Sequence, residues 1–302
     1  MARQALVIGG AGFLGSGIVA ELQAAGWSVT SLGRGNKVNQ AAGVRFIQAD
    51  RTQEGALAQA VGGEQFDLVV DCAAYQQADA EGAVATFAGR TGHYVFISTD
   101  FVYSPEISGP FPIQEDAPKE TERRYGVGKL ACEAVLEAAW RAQQFPYTSL
   151  RPPHILGAGN VLGTGSVKGR DGQLLAHMRA GADLTLLAEG LLLIAPVRNR
   201  EVGSCIAHLA GNSAAFGQVF NCTGPDAVTT RVYFEIIARR LGVPLRCDSM
   251  SVEEFRSRWP DKAPHARHRI YSLRKLEDLT GYRPHYDLEG AIAETMEWLE
   301  QR

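Results

Sequence analysis

Short, predominantly apolar runs recur through the first half of this 302-residue chain. They are Ala5-Leu6-Val7-Ile8, Ser28 to Leu32, Val44-Arg45-Phe46-Ile47, Phe66-Asp67-Leu68-Val69-Val70, Tyr94-Val95-Phe96-Ile97 and Tyr147-Thr148-Ser149-Leu150. Apolar runs of this length predict strands buried on both faces. Between them the pattern turns helical. Ile18, Val19 and Leu22 recur at helical spacing until Gly26, and Gln53 to Val61 and Tyr125 to Ala142 read as further helices. Strands alternating with helices predict an α/β protein with a doubly wound parallel sheet. In such sheets ligands gather at the carboxyl ends of the strands.

After Arg151-Pro152-Pro153 the alternation loosens. Gly157 to Gly172 reads as a loop over a pocket, and Val219-Phe220-Asn221 as one more strand. Thr230 is placed to cap a helix from Arg231 to Leu241, and Leu288 to Leu299 is amphipathic. The expected organisation is a Rossmann domain over residues 1–152, to which some later segments return, and a smaller, mainly substrate-binding lobe over 153–302.

The glycines decide where chemistry is expected. Gly9-x-x-Gly12-x-x-Gly15 follows the first strand and opens the first helix, with Phe13 and Leu14 inside the turn. Glycines there permit a tight turn and let backbone amides approach a pyrophosphate at the helix N-terminus. The second strand ends in Leu32-Gly33-Arg34, not in an acidic residue that would bind a free ribose 2′-hydroxyl. Arg34 suits a 2′-phosphate, which favours NADP over NAD as the NAD(P) cofactor. Asp50, after the third strand, suits the adenine amino group or a cap of the following helix.

Tyr125 and Lys129 stand four apart, on one face of a helix. An ammonium beside a phenol favours the phenolate, so Lys129 is expected to lower the Tyr125 pKa and hold the nicotinamide ribose. Thr99 ends the fifth strand, where its hydroxyl would orient a substrate oxygen. Asp100 beside it is a candidate acid or base. Arg198 is a candidate for a substrate phosphate.

Composition narrows the rest. Thirty basic against 33 acidic residues give a net charge of −3. That balance gives no sign of general nucleic-acid binding. Five scattered cysteines have no metal-like spacing and read as reduced, and His265 and His268 lack partners for a zinc site, so no metal is expected. No secretory signal is visible, and Leu184 to Val197 is too short and broken to span a bilayer. A cytoplasmic protein without a membrane partner is expected.

The segments Gly9–Gly15, Asp71-Cys72-Ala73-Ala74, Ser98-Thr99-Asp100-Phe101-Val102-Tyr103, Tyr125–Lys129, Arg151-Pro152-Pro153 and Asn221-Cys222-Thr223-Gly224 together resemble the extended short-chain dehydrogenase/reductase superfamily, the NAD-dependent epimerase/dehydratase family. The resemblance implies Thr99 as hydroxyl partner, Tyr125 as catalytic base and Lys129 as its modulator. It also places Arg51, Cys72, Ala73, Ala74 and Pro152 at the cofactor and Tyr75 at the substrate. The implied substrate is a nucleotide-linked sugar or similar polyol, and a homodimer through the long helices is common in the superfamily. Phe101 stands where 4,6-dehydratases carry Glu, which disfavours 4,6-dehydration. The short segment between the fourth and fifth strands resembles an atypical branch that includes chloroplast stem-loop RNA-binding proteins. An epimerase is the favoured expectation, a 4-keto-deoxysugar reductase the alternative, and an RNA-binding protein on the same scaffold the alternative of another class.

Overall fold

The computed structural model describes residues 2–36 and 41–301. The chain begins β1 (Gln4–Ile8), α1 (Phe13–Ala24), β2 (Ser28–Gly33), β3 (Arg45–Gln48), α2 (Ala56–Val61), β4 (Leu68–Asp71), α3 (Gln77–Phe87), β5 (Tyr94–Ile97), α4 (Arg124–Gln143) and β6 (Tyr147–Arg151). It continues β7 (Ile155–Leu156), α5 (Leu174–Arg179), β8 (Leu184–Leu187), β9 (Leu193–Ile194), β10 (Val197–Arg198), α6 (Asn199–Leu209), β11 (Gln218–Asn221), β12 (Val228–Thr229), α7 (Thr230–Leu241), β13 (Cys247–Met250), α8 (Val252–Arg258), α9 (Arg274–Thr280) and α10 (Leu288–Glu300).

Seven strands form one parallel sheet in the order β11-β6-β5-β4-β1-β2-β3. The order reverses between β1 and β4, which opens a crevice at their carboxyl ends. Side chains on β1 alternate between the two layers. Ala5 and Val7 join Ile18, Leu22, Val202 and Ile206 beneath α1 and α6, while Leu6 and Ile8 join Phe87, Cys132 and Leu136 beneath α3 and α4. Burial on both sides explains why these strands carry no polar alternation. Both β11 and α6 lie beyond residue 152 in sequence, yet both belong to this sheet layer.

Most of the remaining elements build a smaller lobe around Leu174, Leu186, Tyr233, Ile237 and Ile292, while α9 packs through Leu276 on the sheet layer. Its strands occur only in pairs: β7 with β10, β8 with β13, and β9 with β12. Two expected boundaries move. Helix α2 begins at Ala56 rather than Gln53, because Asp50 ties its carboxylate to Thr52 and Gly55 turns the chain at φ +70°. The cap of α7 is Thr229, whose hydroxyl accepts the Val232 N–H, and not Thr230. The glycine-rich loop expected over a pocket lies against the start of α1, where Gly159 meets the Phe13 ring.

Candidate active site

The turn after β1 is built on two demands that only glycine meets. Gly9 stands at φ +83°, and a Cβ on Gly15 would lie 2.2 Å from the Gly9 carbonyl oxygen. This close packing brings the N-terminus of α1 onto the end of β1. In front of it opens a cavity of about 640 Å³, lined by Gly9, Gly12, Phe13, Leu14 and Gly15, by Arg34 and Asp50, and by Cys72, Ala73 and Tyr75. Its volume is that of a small-ligand site. The cavity crosses the switch point of the sheet, and its glycine floor leaves room for close backbone approach. These features fit a dinucleotide.

Several residues expected at the cofactor hold other partners. Arg51 lines the cavity wall, but its guanidinium is ion-paired with the buried Asp71 and donates to the Asp79 carbonyl at 2.5 Å. Asp71 also accepts from Tyr94 Oη at 2.6 Å. Arg51 is therefore a strut of the wall, not a free binding group. Asp50 lines the cavity and accepts from Thr52, but it does not cap α2, whose N-cap is Gly55. The Thr52 hydrogen bonds, with Arg34 nearby, hold its carboxyl below the usual range. Pro152 is buried at the end of β6, where its carbonyl accepts the Asp100 N–H at 3.2 Å. Ala74 is buried too, and its carbonyl is taken by Lys129.

Helix α4 carries Tyr125 to the crevice, and two glycines set its approach. A Cβ on Gly126 would lie 2.2 Å from the Phe101 carbonyl oxygen, and one on Gly128 would lie 2.3 Å from the Tyr75 carbonyl oxygen. The helix therefore rests on the turns that follow β4 and β5. The Tyr125 ring lies 6.4 Å from the ring of Tyr75, which itself lines the dinucleotide cavity. Tyr125 thus stands beside one end of that cavity. The Phe101 ring lies edge-on to Tyr125 at 6.0 Å, and the Phe101 N–H is held by the Thr99 hydroxyl at 3.3 Å, so both residues border the same turn. Tyr125 is 44% exposed, whereas Thr99 is 7% exposed.

Lys129 does not do what its spacing predicts. Its ammonium turns beneath the Tyr75 ring, 4.6 Å from the ring centroid, and donates to the carbonyls of Ala74 and Ile97 at 2.7 Å each. Desolvation by burial pushes the Tyr125 phenol up to about 12, although Thr99 pulls it down. Carbonyls after β4 and at the end of β5 hold the ammonium that helical spacing placed on the face of Tyr125. Burial lowers the Lys129 pKa as well.

Two further expectations are corrected. Asp100 is not a free acid or base: its carboxylate is buried and bonded to Arg269 at 2.8 Å and to Tyr271 at 2.6 Å. Arg198 does not face the site. It pairs with Glu294 of α10 at 2.7 Å and lies over the Tyr286 ring. The residues that do reach the site from the smaller lobe went unrecognised in the sequence. Phe101 packs edge-on against both Tyr125 and His265, and Arg269 lies over its ring. The signal for them was the density of basic residues from His265 to Arg269 in a nearly neutral chain. Among the described residues, no cluster of His, Cys, Asp and Glu could hold a metal ion.

A model of the NAD dependent epimerase/dehydratase family matches residues 5–87 and 83–193. The chain belongs to this family. Among curated proteins, a 2′-dehydrokanamycin reductase from Streptomyces kanamyceticus is 30% identical over 252 residues, covering 82% of this chain and 69% of the relative. An epimerase from Methanothermobacter thermautotrophicus superposes with a TM-score of 0.81 at 16% identity, covering 99% of this chain and 93% of its own. A UDP-glucose 4-epimerase from Thermotoga maritima, solved with UDP-glucose, gives 0.78 at 18% identity and 99% of both chains. At such identities the two structures share the fold of this family member. The family is NAD-dependent, and no helix among the described residues is long and apolar enough to cross a membrane.

Proposed function

We propose that this chain is an NAD(P)-dependent reductase of a carbonyl on a sugar or similar polyol, with Tyr125 as proton donor and Thr99 as the group that orients the carbonyl oxygen. The observation that supports this reading is the Tyr125 ring, which α4 carries to 6.4 Å from the Tyr75 ring that lines the dinucleotide cavity. Reduction of a carbonyl consumes a proton at oxygen, and a neutral phenol beside that oxygen delivers it. The motifs serve an epimerase and a reductase alike, whereas the 2′-dehydrokanamycin reductase relative supports reduction and suggests a keto-sugar of an aminoglycoside or a nucleotide-linked sugar as substrate.

A bound nicotinamide dinucleotide supplies the hydride. Gly9, Gly12 and Gly15 would seat its pyrophosphate, Asp50 its adenine, and Arg34 its ribose. Arg34 lines the cavity just past β2, where no acidic residue competes for a 2′-hydroxyl, which supports NADP. Lys129 keeps Tyr75 and the two strand ends in place beneath the reacting group.

The test is absorbance at 340 nm with NADPH and a panel of keto-sugars, including 2′-dehydrokanamycin. Tyr125→Phe is expected to lower kcat by about 10²-fold or more. Retained turnover in that variant would refute the assignment. Tightly held NAD released on denaturation, together with interconversion of sugar epimers, would establish an epimerase instead.

A further inference from the structure

The turn that follows β2 is held from β3. In the sheet register Gly33 stands beside Gln48, the last residue of β3, and the Gly33 carbonyl accepts the Ala49 N–H at 2.9 Å. The next carbonyl along the chain, that of Arg34, accepts from the Gln48 side-chain amide at 3.1 Å. The same amide lies over Gly35, which stands at φ +91°. A Cβ on Gly35 would fall 2.7 Å from Gln48 Nε2 and 2.9 Å from Cδ. Two successive carbonyls therefore end on one stretch of β3, the first on its backbone and the second on a side chain.

These carbonyls belong to the peptide planes on either side of the Arg34 Cα. Peptide units are planar, so tying both down leaves φ and ψ of Arg34 little freedom. The backbone in turn limits the rotamers open to the side chain. An arginine whose root is already fixed loses less freedom when an anion orders its guanidinium. Gln48 itself stands outside the dinucleotide cavity, whereas Gly33, Arg34, Asn36 and Ala49 line it. Strand β3 is the edge of the sheet and Gln48 is exposed, so core packing makes no demand for an amide there.

We infer that Gln48 is a positioning residue for cofactor choice: by holding the Arg34 carbonyl it sets the root of the Arg34 side chain, so that the guanidinium meets the ribose 2′-phosphate of NADPH. This inference rests on Arg34 as the group that reads that phosphate. NADH offers no anion at the 2′ position, and its binding is indifferent to Gln48.

Fluorescence titration with NADPH and with NADH tests this on the full chain, in the wild type, Gln48→Met, Arg34→Ala and the double variant. Methionine keeps the length of the side chain over Gly35 and has no hydrogen to donate. Gln48→Met should weaken NADPH binding by about three- to tenfold, the worth of one hydrogen bond, and leave NADH binding unchanged. In the Arg34→Ala background the same change should cost nothing more, because the two residues act through one contact. An unchanged ratio of the two affinities in Gln48→Met, beside a selective loss of NADPH in Arg34→Ala, overturns the inference and leaves the 2′-phosphate reading standing. Equal losses of both cofactors in Gln48→Met overturn it too, since they report a loosened turn, and so does a further loss in the double variant. Equal losses in Arg34→Ala would instead remove the 2′-phosphate reading, and the role of Gln48 with it.

Discussion

Gly126→Ala isolates the packing that brings Tyr125 to Thr99. The new methyl carbon would lie 2.2 Å from the Phe101 carbonyl oxygen, 3.1 Å from its carbon and 3.0 Å from Glu120 Cγ. Two of these three contacts are with backbone, so a side-chain rotation cannot relieve them. Either α4 or the turn after β5 must move by roughly 1 Å to restore ordinary contact. Alanine is intrinsically better in a helix by about 1 kcal/mol, whereas overpacking costs about 1–3 kcal/mol. The net loss is about 1 kcal/mol, or roughly 2–4 °C in Tm for a chain of this size. Activity should suffer more, because a shift of about 1 Å between reacting groups costs about 10²-fold. Gly82→Ala on α3 is the control. It meets nothing within 4 Å, so the helical gain should appear undiminished and Tm should rise. Scanning calorimetry and NADPH turnover on both variants read the two effects. A Gly126→Ala protein as stable and as active as wild type would show that α4 does not rest on the Phe101 carbonyl.

Two other predictions concern the cofactor and pH. Arg34→Ala should weaken NADPH binding by about tenfold and leave NADH binding unchanged, as measured by nucleotide fluorescence titration. Equal losses for both cofactors would remove the 2′-phosphate role. His93 is buried, and burial pushes it down to about 4. Its Nε2 lies 2.8 Å from Thr148 Oγ1, whose own hydrogen goes to the Ala215 carbonyl, so Nε2 carries the proton and Nδ1 faces the Gly211 N–H. A second proton on Nδ1 would set N–H against N–H. The unfolded chain therefore binds that proton first. The stabilising contribution is whole above about pH 6.5 and declines toward pH 4, by at most about 1.4 kcal/mol per unit. Urea melts at pH 7 and pH 5 should show this decline, flattened in His93→Gln. An equal acid loss in both proteins would assign it to other groups.

What the chain alone determines here is local and periodic. Apolar runs forecast the strands because a strand covered on both faces has no polar side. Gly9, Gly12 and Gly15 forecast the turn because close backbone packing excludes a Cβ there. Thr99 at a strand end and Tyr125 at a helix start are expected side by side, and both border the Phe101 turn. Tertiary structure decided the destinations of the long charged side chains. Lys129 shares a helix face with Tyr125, yet two carbonyls from β5 and the turn after β4 draw its ammonium away. Arg51, Asp100 and Arg198 likewise stand at positions that suggest ligand contacts, but each meets an opposite charge distant in sequence: Asp71, Arg269 and Glu294. Backbone periodicity is set by neighbours a few residues away. The partner of a flexible ion is set by which segments the fold brings beside it, and one sequence carries no periodic signal for that meeting.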